Sequence, residues 1–289
     1  ACVCVSTICI LVMALLSQHE DEHQSYLLCA KIDNAKNVLH LLKAINFKDT
    51  ATVFASNNGL KVTVEESKSM QANAFIQAEM FQEYSITEEM VTFKINLNVL
   101  VECLSIFGGS STPGVTPALK LCYNGPGSPL VVLLEEAGVL TDCKITTQEA
   151  DDTLDFNFSN DGVINKVIMR SDCLREVFSE LDLSSDLLEL YMGPTHPYFR
   201  FSTFGNYGTN HTDIPKDSDM METFKCTAVT CHRYKFALLK PSIKALAASQ
   251  KVSLRVDDRG FLCMQFMIQT EDNHISYVEF FCCPEEEAG

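Results

Sequence analysis

Three residue pairings that mark common enzymes are missing from this chain of 289 residues. No Gly-Lys dipeptide occurs, so no phosphate-cradling loop ends in a lysine, and no G-x-S-x-G frames a nucleophilic serine. No Asp-x-Glu occurs either, which removes the paired-carboxylate anchor usual in two-metal exonuclease chemistry. Positive charge is scarce: 22 Lys and Arg stand against 38 Asp and Glu, a formal charge of −16. A surface basic all over is therefore excluded, whereas a local basic stripe on an acidic body is not, because net charge does not say where charge lies. Regular cysteine spacing is lacking too. The 13 cysteines are odd in number and fall singly in apolar runs, as at Cys29, Cys103, Cys122 and Cys263. They read as buried free thiols of a reduced compartment rather than a disulfide framework.

Ala1–Leu16 is apolar but has no positive n-region and is short for a membrane span; no later segment could cross a bilayer. The sequons at Asn157 and Asn210 would matter only in a secreted chain. What is present is ordinary globular material, 46% hydrophobic and 21% charged, long enough for two domains of ~100–150 residues. Asp217 and Asp219 with Glu222 form the nearest carboxylate cluster, and a solvated loop explains it without a metal. Cys226, Cys231 and His232 offer three zinc ligands but no fourth with zinc spacing. No catalytic residue, metal or cofactor is assigned.

The order of elements repeats. Tyr26–Ile32 reads as a strand, Asp33-Asn34 as a cap, and Val38, Leu41, Leu42 and Ile45 as the apolar face of a helix. Strands follow at Thr52–Ala55, Leu60–Val64 (after a turn at Asn57-Asn58-Gly59), Met70–Gln77 and Val91–Ile95. A second helix carries Leu97, Leu100, Val101 and Leu104, stops at Gly108-Gly109, and leads to strands Ala118–Tyr123, Leu130–Glu135 and Val139–Thr146. The second half runs the same way. Strand Val163–Arg170 meets a helix capped by Ser171-Asp172; strands Leu187–Met192 and Tyr198–Phe204 follow, then a helix with Pro241 in its first turn. Strands Val252–Val256, Phe261–Ile268 and Ile275–Cys282 close the chain. The implied architecture is α+β: two similar domains with antiparallel sheets and paired helices, 25–146 and 154–289, joined by an acidic linker over 147–153.

Two features rise above background. Lys36, His40 and Lys43 fall on the polar face of the first helix; Lys240 and Lys244 share a face of the last, with Lys251 further along; Arg175 lies on the polar face of the third. The second helix offers Asn98, Glu102 and Ser105 outward and no base. Basic helix faces in so acidic a chain point to phosphate contacts, which carry no sequence information; a solvated lysine face is the plain reading. The strands supply the second feature. Period-two counting leaves Phe75 on a polar face with Gln71 and Asn73, places Phe261 and Met267 outward on their strand, and aligns Tyr277 and Phe281 with Glu279. Such a patch either binds a partner or is covered by the chain's own linker or tail.

The ending Tyr277-Val278-Glu279-Phe280-Phe281-Cys282-Cys283-Pro284-Glu285-Glu286-Glu287, an aromatic pair followed by proline and acids, resembles the C-terminus of the PCNA-like sliding clamps. Asn73–Gln77, Cys103–Gly108, Phe178–Asp182, Ser202–Asn206 and Pro215–Asp219 are similar to the DNA-damage checkpoint clamps of that family. The likeness runs from about Ser25 to Glu287; Ala1–Gln24 lies outside it and looks like a leader of uncertain status. The resemblance implies a DNA-clamp fold and a nuclear, non-enzymatic subunit of a heterotrimeric ring, with two sister subunits and a replication-factor-C-like loader. The ring encircles double-stranded DNA without sequence specificity and serves as a platform for checkpoint and repair proteins. Lys36, Lys43, Arg175, Lys240 and Lys244 would then face DNA, and Phe75, Met267, Tyr277 and Phe281 would form a pocket for short hydrophobic motifs. A metal-dependent 3′–5′ exonuclease is the alternative.

Overall fold

The computed structural model describes residues 26–107, 116–182, 184–206, 208–270 and 273–285. Ala1–Gln24, the loop expected after Gly108 and the closing acids Glu286 and Glu287 lie outside them. The chain divides into two units. One holds the residues before Thr63 together with Phe75–Asp152; the other holds Thr63–Ala74 and the residues from Thr153 on.

The first half of the chain runs β1 (Leu28–Ile32), α1 (Ala35–Ile45), β2 (Thr50–Ser56), β3 (Gly59–Glu66), β4 (Met70–Gln77), β5 (Glu83–Ile86), β6 (Met90–Asn96), α2 (Leu97–Leu104), β7 (Ala118–Tyr123), β8 (Leu130–Glu136), β9 (Val139–Ile145) and β10 (Thr147–Gln148). One sheet has the order β5-β1-β7-β8-β9; in another, β10-β6-β2-β3-β4 lie side by side. Each helix begins where an asparagine in extended conformation turns its side chain onto a free backbone N–H. Asn34 accepts from Lys36 N at 3.1 Å and Asn96 from Val99 N at 3.0 Å. Beyond those caps the 3.6-residue spacing buries Val38, Leu41, Leu42 and Ile45 on α1 and Leu97, Leu100 and Leu104 on α2, and the two helices pack together. The expected turn at Asn57-Asn58-Gly59 needs its glycine: at φ +118°, a Cβ on Gly59 would lie 2.2 Å from Ile76 O.

The second half runs β11 (Val163–Arg170), α3 (Ser171–Glu180), β12 (Leu187–Met192), β13 (Phe199–Gly205), β14 (Gly208–Ile214), β15 (Met221–Cys226), β16 (Thr230–Lys235), α4 (Phe236–Leu239), α5 (Ser242–Ala248), β17 (Lys251–Asp257), β18 (Leu262–Gln269) and β19 (Ile275–Cys282). Strands β19-β18-β17-β11-β15 are neighbours, β14-β13-β12-β16 form a four-stranded sheet, and α3 packs on α5. The core is aromatic: Phe266 and Phe280 meet edge to face at 5.8 Å and Phe199 and Phe201 at 4.9 Å.

Several local expectations are corrected. Strands β5, β14 and β15 were not legible, and β10 takes the first two residues of the expected linker, pairing Thr147 with Ile95. All four are sheet edges, where one unpaired side relieves the strand of a continuous apolar pattern. Ser171 does not cap α3. Arg170 holds that position with no side-chain bond, while the Ser171 hydroxyl is buried against Ser249 Oγ at 2.7 Å. Pro241 lies just before α5 and splits the last helix in two rather than sitting in its first turn. On β4, Gln71 and Asn73 do not face water. Thr63 Oγ1 donates to Asn73 Oδ1 (2.7 Å), Asn73 Nδ2 to Gln71 Oε1 (3.1 Å), and Gln71 Nε2 to both Glu65 Oε1 and Leu154 O (2.8 Å each). That ladder buries both amides with their hydrogen bonds made.

Asn165 on β11 is a tightly committed polar group of the second unit. It is fully buried, donates to Ala228 O and Thr230 Oγ1 at 2.8 Å each, and accepts from Thr227 N at 3.0 Å. Asn165→Ala takes its donor from the buried Thr230 Oγ1 and frees Ala228 O and Thr227 N on an exposed turn, so a loss of about 1–3 kcal/mol is expected in urea unfolding; Ser179→Ala, on an exposed hydroxyl, serves as the near-neutral control.

Candidate nucleic-acid and peptide interfaces

The basic residues singled out in the sequence divide into two groups. On α1, Lys36 is half-buried and His40 and Lys43 are exposed, opposite the buried stripe. In the second unit Lys240 and Lys244 are both exposed, and Lys240 Nζ lies 5.1 Å from the Phe236 ring centre. Lys36, His40, Lys43 and Lys244 stand on helices whose other faces are fixed in a core, whereas Lys240 is the C-cap of α4, in the turn into α5. Arg175 is differently engaged. Its Nη1 donates to Leu246 O at 2.8 Å and Ser249 O at 3.2 Å, and its Nη2 bonds the Asp172 carboxylate. Asp172 takes a second guanidinium from Arg170 at 2.9 Å, and these partners, Arg170 first, hold its carboxyl below the usual range. Arg175 thus closes the C-terminal carbonyls of α5 with its charge locally balanced. Lys251 begins β17 instead of extending the α5 stripe, and pairs with Glu222 at 2.8 Å. As expected, α2 presents no base: Asn98 bonds Asp49 at 2.6 Å, and Glu102, Val99 and Ile106 are exposed.

The outer face of β17–β19 is read from its register. Three rows cross it: Arg255, Cys263 and Phe281; then Ser253, Gln265 and Glu279; then Lys251, Met267 and Tyr277. The middle row is polar. Arg255 Nη2 reaches Glu279 Oε1 at 3.2 Å, and Gln265 Nε2 donates to the same oxygen at 2.8 Å. The apolar patch is therefore two islands. Met267 and Tyr277 form one with Ile275, which is exposed. Phe281 belongs to the other, with Phe261, and the rings of Phe156 (6.3 Å) and Phe158 (5.5 Å) lie on it. Of the four residues expected to line one pocket, Met267 and Tyr277 are brought side by side and Phe281 stands four positions along the strand. Phe75, on β4, is half-buried in the first unit. Phe156, Phe158 and the clipping arginines Arg255 and Arg259 were not anticipated. Their signal was the alternation Leu154-Asp155-Phe156-Asn157-Phe158 directly after the linker.

The remaining candidate clusters are exposed or paired individually. Asp217 and Asp219 are exposed and Glu222 is held by Lys251. Among the described residues no group of three His, Cys, Asp or Glu gathers where it could hold a metal ion. All described cysteines are free thiols; Cys122, Cys263 and Cys282 are buried as expected of this class, whereas Cys29 and Cys103 are half-buried. Burial pushes Cys263 up to about 12 and Cys103 up to about 11, far from a thiolate at neutral pH.

Burial also holds His232 below its usual value, with Asp257 partly opposing. The unfolded chain then takes up this proton at higher pH than the folded one, so stability falls as pH drops below about 6.5. His232→Asn should narrow the gap between urea midpoints measured at pH 7 and pH 5.5.

Comparisons with known proteins follow the same direction. The profile of the repair-protein family Rad1/Rec1/Rad17 matches residues 27–268. The cell cycle checkpoint protein RAD1 of Mus musculus is 57% identical over 276 residues, 95% of this chain and 99% of that protein. Its Homo sapiens namesake is 57% identical over 276 residues, 95% and 98%. More distantly, the DNA repair exonuclease REC1 of Mycosarcoma maydis is 20% identical over 441 aligned positions, 89% of this chain and 95% of that protein.

Proposed function

This chain belongs to the Rad1/Rec1/Rad17 family of repair proteins, and we propose that it works there as the radiation-sensitivity subunit of a nuclear DNA-damage checkpoint clamp. In this reading it joins two sister subunits in a ring, is placed on duplex DNA by a replication-factor-C-like loader, and holds checkpoint and repair factors there. Domains at 25–146 and 154–289 with the connector 147–153 are the parts of that subunit. The observation that carries the reading is the placement of Lys36, Lys43 and Lys244 on helix faces opposite the cores of two similarly built units, with the exposed Lys240 in the turn between α4 and α5, in a chain of charge −16. Ammonium groups fixed on helices attract phosphates without registering on bases, which is what a sliding contact requires. An acidic exterior leaves such a face as the favourable place for DNA.

Ring closure falls to the sheet edges. Strands β9 and β14 each end a sheet, and β9 carries the exposed Val139; pairing with a sister subunit's edge satisfies the free backbone groups. The Met267/Tyr277 island takes partner motifs by inserting aromatic anchors. Mechanism is then topological, with no reacting group required. A nuclease reading is favoured only by the name of the REC1 relative; it requires that Asp217→Asn with Asp219→Asn abolish metal-dependent degradation of DNA.

Reversing Lys36, Lys43, Lys240 and Lys244 to Glu is expected to shorten retention on circular duplex at least ~10-fold and to flatten its salt dependence. Native mass measurement should still find the assembled trimer. Unchanged retention would remove the lysines from the DNA-facing surface. Met267→Ala with Tyr277→Ala is expected to weaken partner-peptide binding about 10-fold or more in calorimetry while leaving DNA retention intact; unchanged peptide affinity would count against this island.

A further inference from the structure

Two thiols meet in the middle of the sheet β5-β1-β7-β8-β9. Cys29 on β1 and Cys122 on β7 are register partners 93 positions apart in sequence, and their sulfurs lie 3.9 Å from each other. Directly opposed residues of an antiparallel pair have Cα atoms about 4.5 or 5.5 Å apart, and a disulfide spans either distance. Bonding therefore asks for side-chain rotation rather than strand movement. The two thiols are unequal: Cys29 is half-buried and Cys122 buried. In the next row of the same face Lys31 stands opposite Lys120, and Lys31 Nζ pairs with Glu83 at 3.3 Å. Cations beside a thiol favour the thiolate, which is the form that attacks peroxide. The pair also lies at the root of a lysine-bearing helix. β1 ends at Ile32, Asn34 caps α1, and Ala35 N donates at 2.8 Å to the carbonyl of Pro117, the residue before β7. The start of α1 is thus carried by the two strands that the thiols connect.

We propose that Cys29 and Cys122 form a reversible, peroxide-driven staple between β1 and β7, a redox device that stiffens the sheet at the root of α1. The Cys29 thiolate attacks one oxygen of hydrogen peroxide. An S–O bond forms as the O–O bond breaks, leaving a sulfenic acid and a hydroxide that takes up the proton Cys29 released. The Cys122 thiol then attacks the Cys29 sulfur: the S–S bond forms, the S–O bond breaks, and the second water leaves with the Cys122 proton. Two thiols lose two electrons and two protons, and one peroxide becomes two waters. A dithiol reductant returns both thiols. In a reducing compartment the pair stays reduced, and both cysteines are free thiols in this structure. Cys29 is the residue that meets peroxide because part of it is reachable from solvent, and Cys122 resolves the sulfenic acid from within. The device needs neither DNA nor sister subunits, so its failure leaves the proposed clamp function untouched.

The test treats the full chain carrying Cys231→Ser, which removes the exposed competing thiol, with hydrogen peroxide near neutral pH and digests it without reduction. The expected product is a peptide pair joined through Cys29 and Cys122, lighter by about 2 Da than its two reduced parts together. Closing so long a loop should raise the melting midpoint by about 5 °C or more, and hydrogen exchange in β1 and at the start of α1 should slow. Dithiothreitol should reverse all three changes. With Cys122→Val added, Cys29 should stop at a sulfenic acid that dimedone traps, and the midpoint should not rise. Joining of Cys29 to a different cysteine, no joined pair at peroxide levels that oxidise other thiols of the chain, or a joined pair with an unchanged midpoint overturns the proposal. Should the Cys122→Val variant fail to fold, the rate of joining in the folded Cys231→Ser chain is compared with that in urea. Joining at least ~10-fold faster when folded supports a staple placed by the register, because folding replaces loop closure; equal rates refute it.

Discussion

The constraint on which the rest depends is the two-sidedness of the helices. A lysine on a helix is held to face one way when the opposite side of that helix is buried, and this chain does so. Leu41, Leu42 and Ile45 anchor α1 so that His40 and Lys43 remain outside; Ala245 and Leu246 do the same for Lys244. Arg175 shows the same economy turned inward. Its planar fork spans two carbonyls and a carboxylate, a geometry a lysine could not reproduce.

Much of this was legible in the sequence, and the reasons are local. Helix caps at Asn34, the apolar faces of α1 and α2, and strands β4, β7, β11, β12 and β19 follow from period and turn chemistry, because each has one face that must be buried. The doubled order of elements followed from the same signals. What escaped was set by neighbours distant in sequence. Edge strands such as β14 (Gly208–Ile214) are polar because only one side is paired. Gln71 and Asn73 look like solvent residues until Leu154 and Thr63 satisfy them. The lysines were identifiable, but nothing in residues 171–175 announced that Arg175 would close the end of α5.

The patch on β17–β19 shows how far alternation goes. Period-two counting correctly sends Met267, Tyr277 and Phe281 to one face, but only register reveals that Glu279 and Gln265 cut that face in two. A polar row between two apolar islands allows one to be filled by the chain itself while the other stays available, and keeps the exposed apolar area of each small.

The state of the thiols has a practical consequence. Among the described cysteines only Cys231, on β16, is exposed, while burial keeps Cys263 and Cys282 protonated. A maleimide dye at neutral pH would therefore react first at Cys231 among them, giving a fluorophore on the four-stranded sheet.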